Sequence, residues 1–393
     1  KKIMKIKILS LANWNVEPII ESLLKLNHDI SLFSFMRTNI KRGNNLNIFR
    51  PKFSVLMQIL NRLLGLLNIN NSNLFGSKYK LLQFIIYDIE CCLHILVKRD
   101  IDVVIGWASC CTFSFLLCKA FKIQTILFMG NSHIDTLLDV NQKIAKLDHL
   151  ELFKTKQKSE YQSASLILVE SEYSKKTLIR NSIPINKISV LNIPPSKKRI
   201  DRIEELNSKL QIKEKSFIDI AFVSPREIKG FSILKSVIKN FEKNNNFKFN
   251  IFGLEKKQFK EFEKFDNVVC NLFKTSNYFL DDLNKCDVLF LPTFEDGGPR
   301  VLNEALLLGL YCIGSSFSKL PEFEIFELCK VVSSNKKSDY LNELQNLNPK
   351  YIFESRNCRI KKAKSFFLKN KLDDQLKKIL RKKNNGNFRK IIS

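Results

Sequence analysis

The chain has 393 residues, 45% of them hydrophobic, with 65 Lys and Arg against 39 Asp and Glu. That length exceeds one ordinary core and suits two α/β domains, and no run of eighteen uncharged apolar residues offers a membrane-crossing helix. The net charge of +26 arrives without a nucleic-acid recognition motif and with lysines spread along the whole sequence, so no nucleic acid is expected as partner.

Lys5–Leu11 reads as a first strand rather than a signal peptide, because no cleavage pattern follows it. Val16–Leu26 has the spacing of an amphipathic helix and Ile30–Phe35 that of a second strand. Next, Arg37, Lys41, Arg42, Arg50 and Lys52 lead into the apolar, helix-like stretch Phe53–Leu67. A basic, apolar helix lying in a bilayer interface has this composition, and so has a core helix with a basic approach loop. Asp102–Gly106 reads as a strand, Thr112–Phe121 as a helix and Gln124–Met129 as a strand. Leu166–Ser174 is one more strand ending at a capped helix. Strands alternating with helices imply a parallel sheet covered on both faces.

Pro194-Pro195 and the charged stretch through Lys215 read as a hinge. A second unit repeats the alternation with strands at Phe217–Phe222, Phe247–Phe252, Val268–Asn271, Asp287–Leu291 and Tyr311–Gly314. The tail, with Lys377-Lys378 and Arg381 to Lys383, reads as a solvated helix face and a frayed end. Domains are therefore expected at 1–195 and 196–365, with a C-terminal helix and basic tail over 366–393.

The ten cysteines occur singly or as the pairs Cys91-Cys92 and Cys110-Cys111, mostly inside apolar runs and never as Cys-x-x-Cys, which suits free buried thiols in a cytosolic protein. His28, His94, His133 and His149 show no metal-ligand spacing. The sequence is rich in Asn and Ile, a bias that raises lysine by itself. The remaining positive charge suits attraction to anionic phospholipid, as in peripheral membrane association, or to a phosphate-bearing acceptor.

The densest chemistry lies in Leu291–Ala305. A buried strand ends at Pro292, a loop carries Glu295, Asp296, Gly297 and Gly298, and a helix follows with Pro299 at its first position and Gly309 just past its end. Gly297 and Gly298 thus stand before a helix N-terminus, where free N–H groups and the helix dipole attract an anion and glycine allows close approach. Glu304, between one and two turns into the helix, is placed to accept hydrogen bonds from a vicinal diol such as ribose. A nucleotide diphosphate fits this arrangement.

The run resembles the donor-site signature of glycosyltransferase family 4: an acid, a Gly-rich turn, and a second acid eight positions on, followed by Ala and soon a Gly. Asp296 and Glu304 keep that spacing, with aspartate for the usual glutamate, while Glu295 is one residue out of register. Glu-Asp-Gly-Gly-Pro followed by Asn-Glu-Ala is similar to a subgroup in bacterial surface-polysaccharide clusters. The strand at Leu166 with its following serine, and Ile183–Asn192, also match. The resemblance is strong from about 160 to 325 and weak over 36 to 90. It implies a GT-B fold, two doubly wound Rossmann-like α/β domains, with an N-terminal acceptor domain and a C-terminal nucleotide-sugar domain. In relatives the last helix crosses back to the first domain.

The resemblance implies a cytoplasmic hexosyltransferase moving a sugar from a nucleotide diphosphate sugar to a glycan or lipid-linked acceptor. Retention and independence of metal follow from it alone, while the basic segments suggest a place at the inner face of the plasma membrane. Lys229, in Ser224–Gly230, would reach the donor phosphates. Relatives carry arginine where this chain has Ser224, and Arg226 is the candidate replacement. His133, after the strand Gln124–Met129, resembles the histidine placed over the donor sugar; a structural role in its loop is the other reading. Asp296 or Glu295 would hold sugar hydroxyls. Trp14 and Asn15 after the first strand, and Trp107, lie where an acceptor would stack, though a core role suits the tryptophans equally. Asp100-Ile101-Asp102 has the Asp-x-Asp form of metal-dependent transferases of another fold, but precedes a strand, at the wrong end for a ligand. No cofactor is expected. A nucleotide-sugar epimerase and an inactive glycan-binding or scaffold protein, both with the same fold, are the alternatives.

Overall fold

The computed structural model describes residues 3–10, 16–34, 45–53, 56, 74–144, 149–211, 215–244, 246–272 and 276–381. Trp14 and Asn15, Arg37, Lys41 and Arg42, most of the Phe53–Leu67 stretch, and Lys382 and Lys383 lie outside them. The chain divides into two compact units. One takes Lys1–Glu170, Lys175–Ile193 and the chain from Asn370 on; the other takes Ser171–Ser174 and Pro194–Lys369.

The first unit holds a parallel sheet ordered β3-β2-β1-β4-β5-β6-β7. Its strands are β1 Lys5–Ser10, β2 Asp29–Ser34, β3 Leu46–Phe49, β4 Val103–Trp107, β5 Gln124–Met129, β6 Leu166–Val169 and β7 Ile188–Val190. Its helices are α1 Val16–Lys25, α2 Leu74–Val97, α3 Thr112–Ala120, α4 Ile134–Ile144 and α5 Lys154–Ser163, and α6 Glu172–Arg180 begins in the other unit's share of the chain. Strand side chains alternate between faces, and both faces are apolar because both are covered. Ile6, Ile8, Val103 and Ile105 pack with Ile19, Ile20 and Leu23 of α1. Leu9, Val104 and Leu127 pack on the opposite side with Tyr87, Cys91, Phe115 and Cys118.

The second unit holds a parallel sheet ordered β10-β9-β8-β11-β12-β13. These are β8 Ile218–Val223, β9 Phe247–Leu254, β10 Val268–Leu272, β11 Val288–Leu291, β12 Tyr311–Ser315 and β13 Cys329–Val332. The helices used below are α7 Lys197–Ser208, α8 Phe231–Asn240, α9 Ser276–Asn284, α10 Arg300–Leu307 and α11 Arg356–Lys369. Ile218, Ile220, Phe222, Val288 and Phe290 form one core with Leu234 and Ile238 of α8. Ala221, Leu289 and Leu291 form the other with Leu302, Ala305 and Leu306 of α10. The last helix, α12 Leu372–Arg381, returns to the first unit, where Leu372, Leu376, Ile379 and Leu380 join the α1 core.

Three local expectations are corrected. The strand at Leu166 ends at Val169, not Ser174, because the chain then enters α6. The stretch read as a hinge contains α7, whose Ile203 is buried in the α10 core. Pro299 is the N-cap with ψ 110°, not the first helical residue, which is Arg300. All ten cysteines are free and seven are buried. Among the described residues no helix is long and apolar enough to cross a membrane.

Candidate functional site

In the second sheet the strand order reverses at β8 and β11, neighbours with Val288 opposite Ile220. In open α/β sheets ligands lie beyond the carboxyl ends of the strands at such a point. The loops leaving β8 and β11 carry Ser224–Gly230 and Pro292–Pro299. After β8, Ser224 takes φ 65° and the chain makes a tight turn over Glu227–Lys229 before Gly230 at φ 79°. A Cβ on Gly230 would stand 2.1 Å from the Pro292 carbonyl oxygen, so only glycine lets the two loops meet this closely. The Phe294 N–H and the Thr293 hydroxyl both donate to the Ile228 carbonyl, at 2.9 and 3.0 Å.

This stitching brings the Lys229 ammonium onto the Asp296 carboxylate as an ion pair. Asp296 is tied in turn to the loop after β12, its N–H donating to the Phe317 carbonyl at 3.0 Å. Ser224 and Arg226 join the same corner, with Arg226 Nε donating to Ser224 Oγ at 3.1 Å and the guanidinium otherwise exposed. Glu295 is buried, 3% exposed, and its carbonyl accepts from the Thr293 hydroxyl at 2.9 Å. The left-handed glycines of the described chain are Gly230, Gly253 and Gly309. Gly297 and Gly298 are not among them, so backbone conformation does not require glycine there.

Helix α10 carries Glu304 on its buried face, and Gly309 at φ 77° stands just past its end. The Glu304 carboxyl is buried beside Arg199 of α7, whose Nε stands 2.8 Å from Oε1. The Arg199 Nε–H has no hydrogen-bond acceptor, so the contact is an ion pair by distance whose N–H is not aimed at the oxygen. Burial pushes the Glu304 carboxyl up to about 7, and the positive charges of Arg199 and then Arg300 pull against that rise.

In the first unit, His133 follows β5 and is 3% exposed. Its Nδ1 accepts from the Asp135 N–H at 3.2 Å, its ring lies 4.9 Å from that of Tyr161, and burial holds it down to about 4. The ring is thus neutral at pH 7 with its proton on Nε2. Trp107 ends β4 half-buried, its ring 4.9 Å from that of Phe128. Asp102 accepts from the Lys5 N–H at 2.9 Å and Asp100 pairs with the Lys5 ammonium, so both acids sit at the amino end of the sheet. Among the described residues no group of three or more His, Cys, Asp or Glu stands where it would hold a metal ion.

Two buried carboxylates escaped the sequence reading. Asp88 accepts from the N–H groups of Phe113 and Ser114 at 2.8 and 3.0 Å. Glu160 accepts from those of Ser109 and Cys111 at 2.6 and 3.0 Å. Together they accept four N–H groups at and just before the N-terminus of α3, whose N-cap Cys111 makes no side-chain cap hydrogen bond. Burial raises Glu160 to about 7. Arg199 was missed as well, because nothing local to a charged helix marks which of its cations meets a distant acid.

No protein-family model and no curated protein matches the sequence. Solved structures do match in fold. Sucrose-phosphate synthase from Thermosynechococcus elongatus aligns over 96% of this chain and 98% of its own, with TM-score 0.68 and 12% identity. HepE from Anabaena, solved in complex with UDP, aligns over 97% and 100%, with TM-score 0.63 and 11% identity. WaaG, a glycosyltransferase involved in lipopolysaccharide biosynthesis, aligns over 96% and 99%, with TM-score 0.61 and 12% identity. The chain therefore has the GT-B glycosyltransferase fold, two parallel α/β sheets in two units, as the sequence implied.

Proposed function

We propose that this chain is a glycosyltransferase that moves a sugar from a nucleotide diphosphate sugar to a hydroxyl of a glycan or lipid-linked acceptor, with retention and without a metal. The observation that carries the reading is the Lys229–Asp296 pair at the strand-order reversal, one loop before a helix that buries Glu304. The UDP bound by HepE makes UDP-sugars the first donors to test.

The barrier is heterolysis of the bond between the anomeric carbon and the diphosphate oxygen. Its electron pair goes to the departing diphosphate, where Lys229 and the N–H groups at the start of α10 oppose the growing charge. Arg226 adds a second cation beside Ser224. Lys229 is paired with Asp296 before donor arrives, so binding exchanges partners: the ammonium turns to phosphate and the freed Asp296 carboxylate accepts from sugar hydroxyls. Glu304 accepts from the ribose diol. The acceptor oxygen bonds to the anomeric carbon, and its proton passes to the leaving phosphate. His133, neutral and protonated on Nε2, has the donor needed for a sugar hydroxyl. A lipid-linked acceptor in surface-polysaccharide or lipopolysaccharide assembly would place the reaction at the cytoplasmic membrane face, where the basic surplus meets anionic lipid.

A thermal-shift screen of nucleotide sugars tests donor binding, since a ligand at a hundred times its Kd adds about 2.7 kcal/mol. Glu304→Ala should abolish transfer with circular dichroism unchanged. Undiminished transfer would remove Glu304 from the site. Hydrolysis or epimerisation with water as the only acceptor would replace transfer by the epimerase reading.

A further inference from the structure

We infer that Arg199 is a positioning residue for the diol-binding carboxylate, its charge keeping Glu304 an anion ready to accept from the nucleotide's ribose. The inference rests on the diol role given to Glu304 above. Helix α7 is fixed in place one to two turns beyond Arg199. Ile203 is buried in the α10 core, Arg202 donates from Nε to Asp281 of α9 at 3.0 Å, and Asn207 donates to the Leu307 carbonyl at 2.9 Å. These three anchors deliver the Arg199 guanidinium to Glu304, with Nε 2.8 Å from Oε1.

The chemistry requires such a cation. A carboxylate accepts from both hydroxyls of a diol; a carboxylic acid spends one oxygen as a donor. Burial alone favours the acid form of Glu304, and burial has raised it to about 7 even with its cations present. Arg199 and Arg300 are the charges that act on it. Four further charged groups around α10 are engaged elsewhere. Arg356 and Arg359 of α11 donate to the Leu308 and Gly309 carbonyls at its far end, Asp281 of α9 is held by Arg202, and Asp296 is held by Lys229. The Arg199 Nε–H is not aimed at the oxygen it neutralises, so the guanidinium acts on Glu304 through charge.

The test uses the full chain and UDP as probe, with affinity measured by calorimetry from pH 5.5 to 9.5. Wild-type affinity should rise through about pH 7 and then level. Arg199→Met keeps the aliphatic stem and removes the charge. Its profile should move up by about one pH unit or more, binding roughly tenfold weaker at pH 7 and converging with wild type near pH 9. Arg199→Lys should restore the wild-type profile. A ligand-free readout runs beside it: the stability gap between each protein and its Glu304→Gln counterpart. That gap should level off near pH 7 in wild type and keep widening beyond it in Arg199→Met. An Arg199→Met profile superimposable on wild type, or weakened equally at every pH, overturns the inference. Absence of UDP binding by wild type would count against the proposed function instead, and the ligand-free titration would still decide the role of Arg199.

Discussion

Glu304 is where function and stability pull apart. Its folded-state value of about 7 lies above the ordinary 4.5, so the folded protein holds this proton more tightly than the unfolded chain does. The stability linked to that proton is fully present below about pH 4.5 and is lost as pH climbs through 7. Glutamine keeps the neutral form at every pH. Glu304→Gln should therefore match wild type near pH 4.5 and exceed it at pH 8 by on the order of 3 kcal/mol, read by urea denaturation at the two pH values. A gap independent of pH would mean that the carboxyl ionises freely. The acid pair Asp296 and Glu304 was legible from the family resemblance, whose spacing of eight the two acids keep across one helix start. Which of Glu295 and Asp296 meets Lys229 was not, because the answer depends on how a loop after β8 folds onto a loop after β11. The ion pair falls to Asp296.

At the scale of elements, the decisive piece is the turn that ends in Gly230. It combines a left-handed backbone with a packing distance to Pro292 that excludes a side chain. Gly230→Ala should cost more than the roughly 1–2 kcal/mol of a left-handed alanine, since the Cβ must also displace the Pro292 carbonyl. The displacement should part Lys229 from Asp296 and weaken nucleotide binding at least as much as Lys229→Ala does; denaturant unfolding and calorimetry on both variants check this. Strand positions were readable because β-branched and aromatic runs are local and both sheet faces are covered. Helix α7 was misread as a hinge. Its Lys and Arg density hid the spacing of Ile200, Ile203 and Leu206, three residues apart on one face, of which Ile203 is fully buried.

At the scale of the whole molecule, the first unit depends on the far end of the chain. Leu372, Leu376, Ile379 and Leu380 of α12 are buried with Ile19, Ile20 and Leu23 of α1, and the Ser22 hydroxyl donates to Asp373. Leu376→Ala should cost about 2–5 kcal/mol, and hydrogen exchange should show it as faster opening of α1 and β1 while β8 and β11 keep their protection. Equal loosening of both sheets would deny α12 its specific place. The basic surplus that first suggested a charged partner is partly absorbed inside the protein. Lys7, Arg356 and Arg359 are buried, the arginines donating to backbone carbonyls of the second unit. By itself the sequence determined two parallel α/β sheets, a helix start behind a glycine pair, and two acids eight residues apart across that start, because periodicity, capping and short loops are local properties. Only the tertiary structure decided that Lys229 holds Asp296, that Arg199 faces Glu304, and that Glu304 titrates near neutrality. Burial and charge pairing arise between segments far apart in the chain, and neither exists until the sheets have closed.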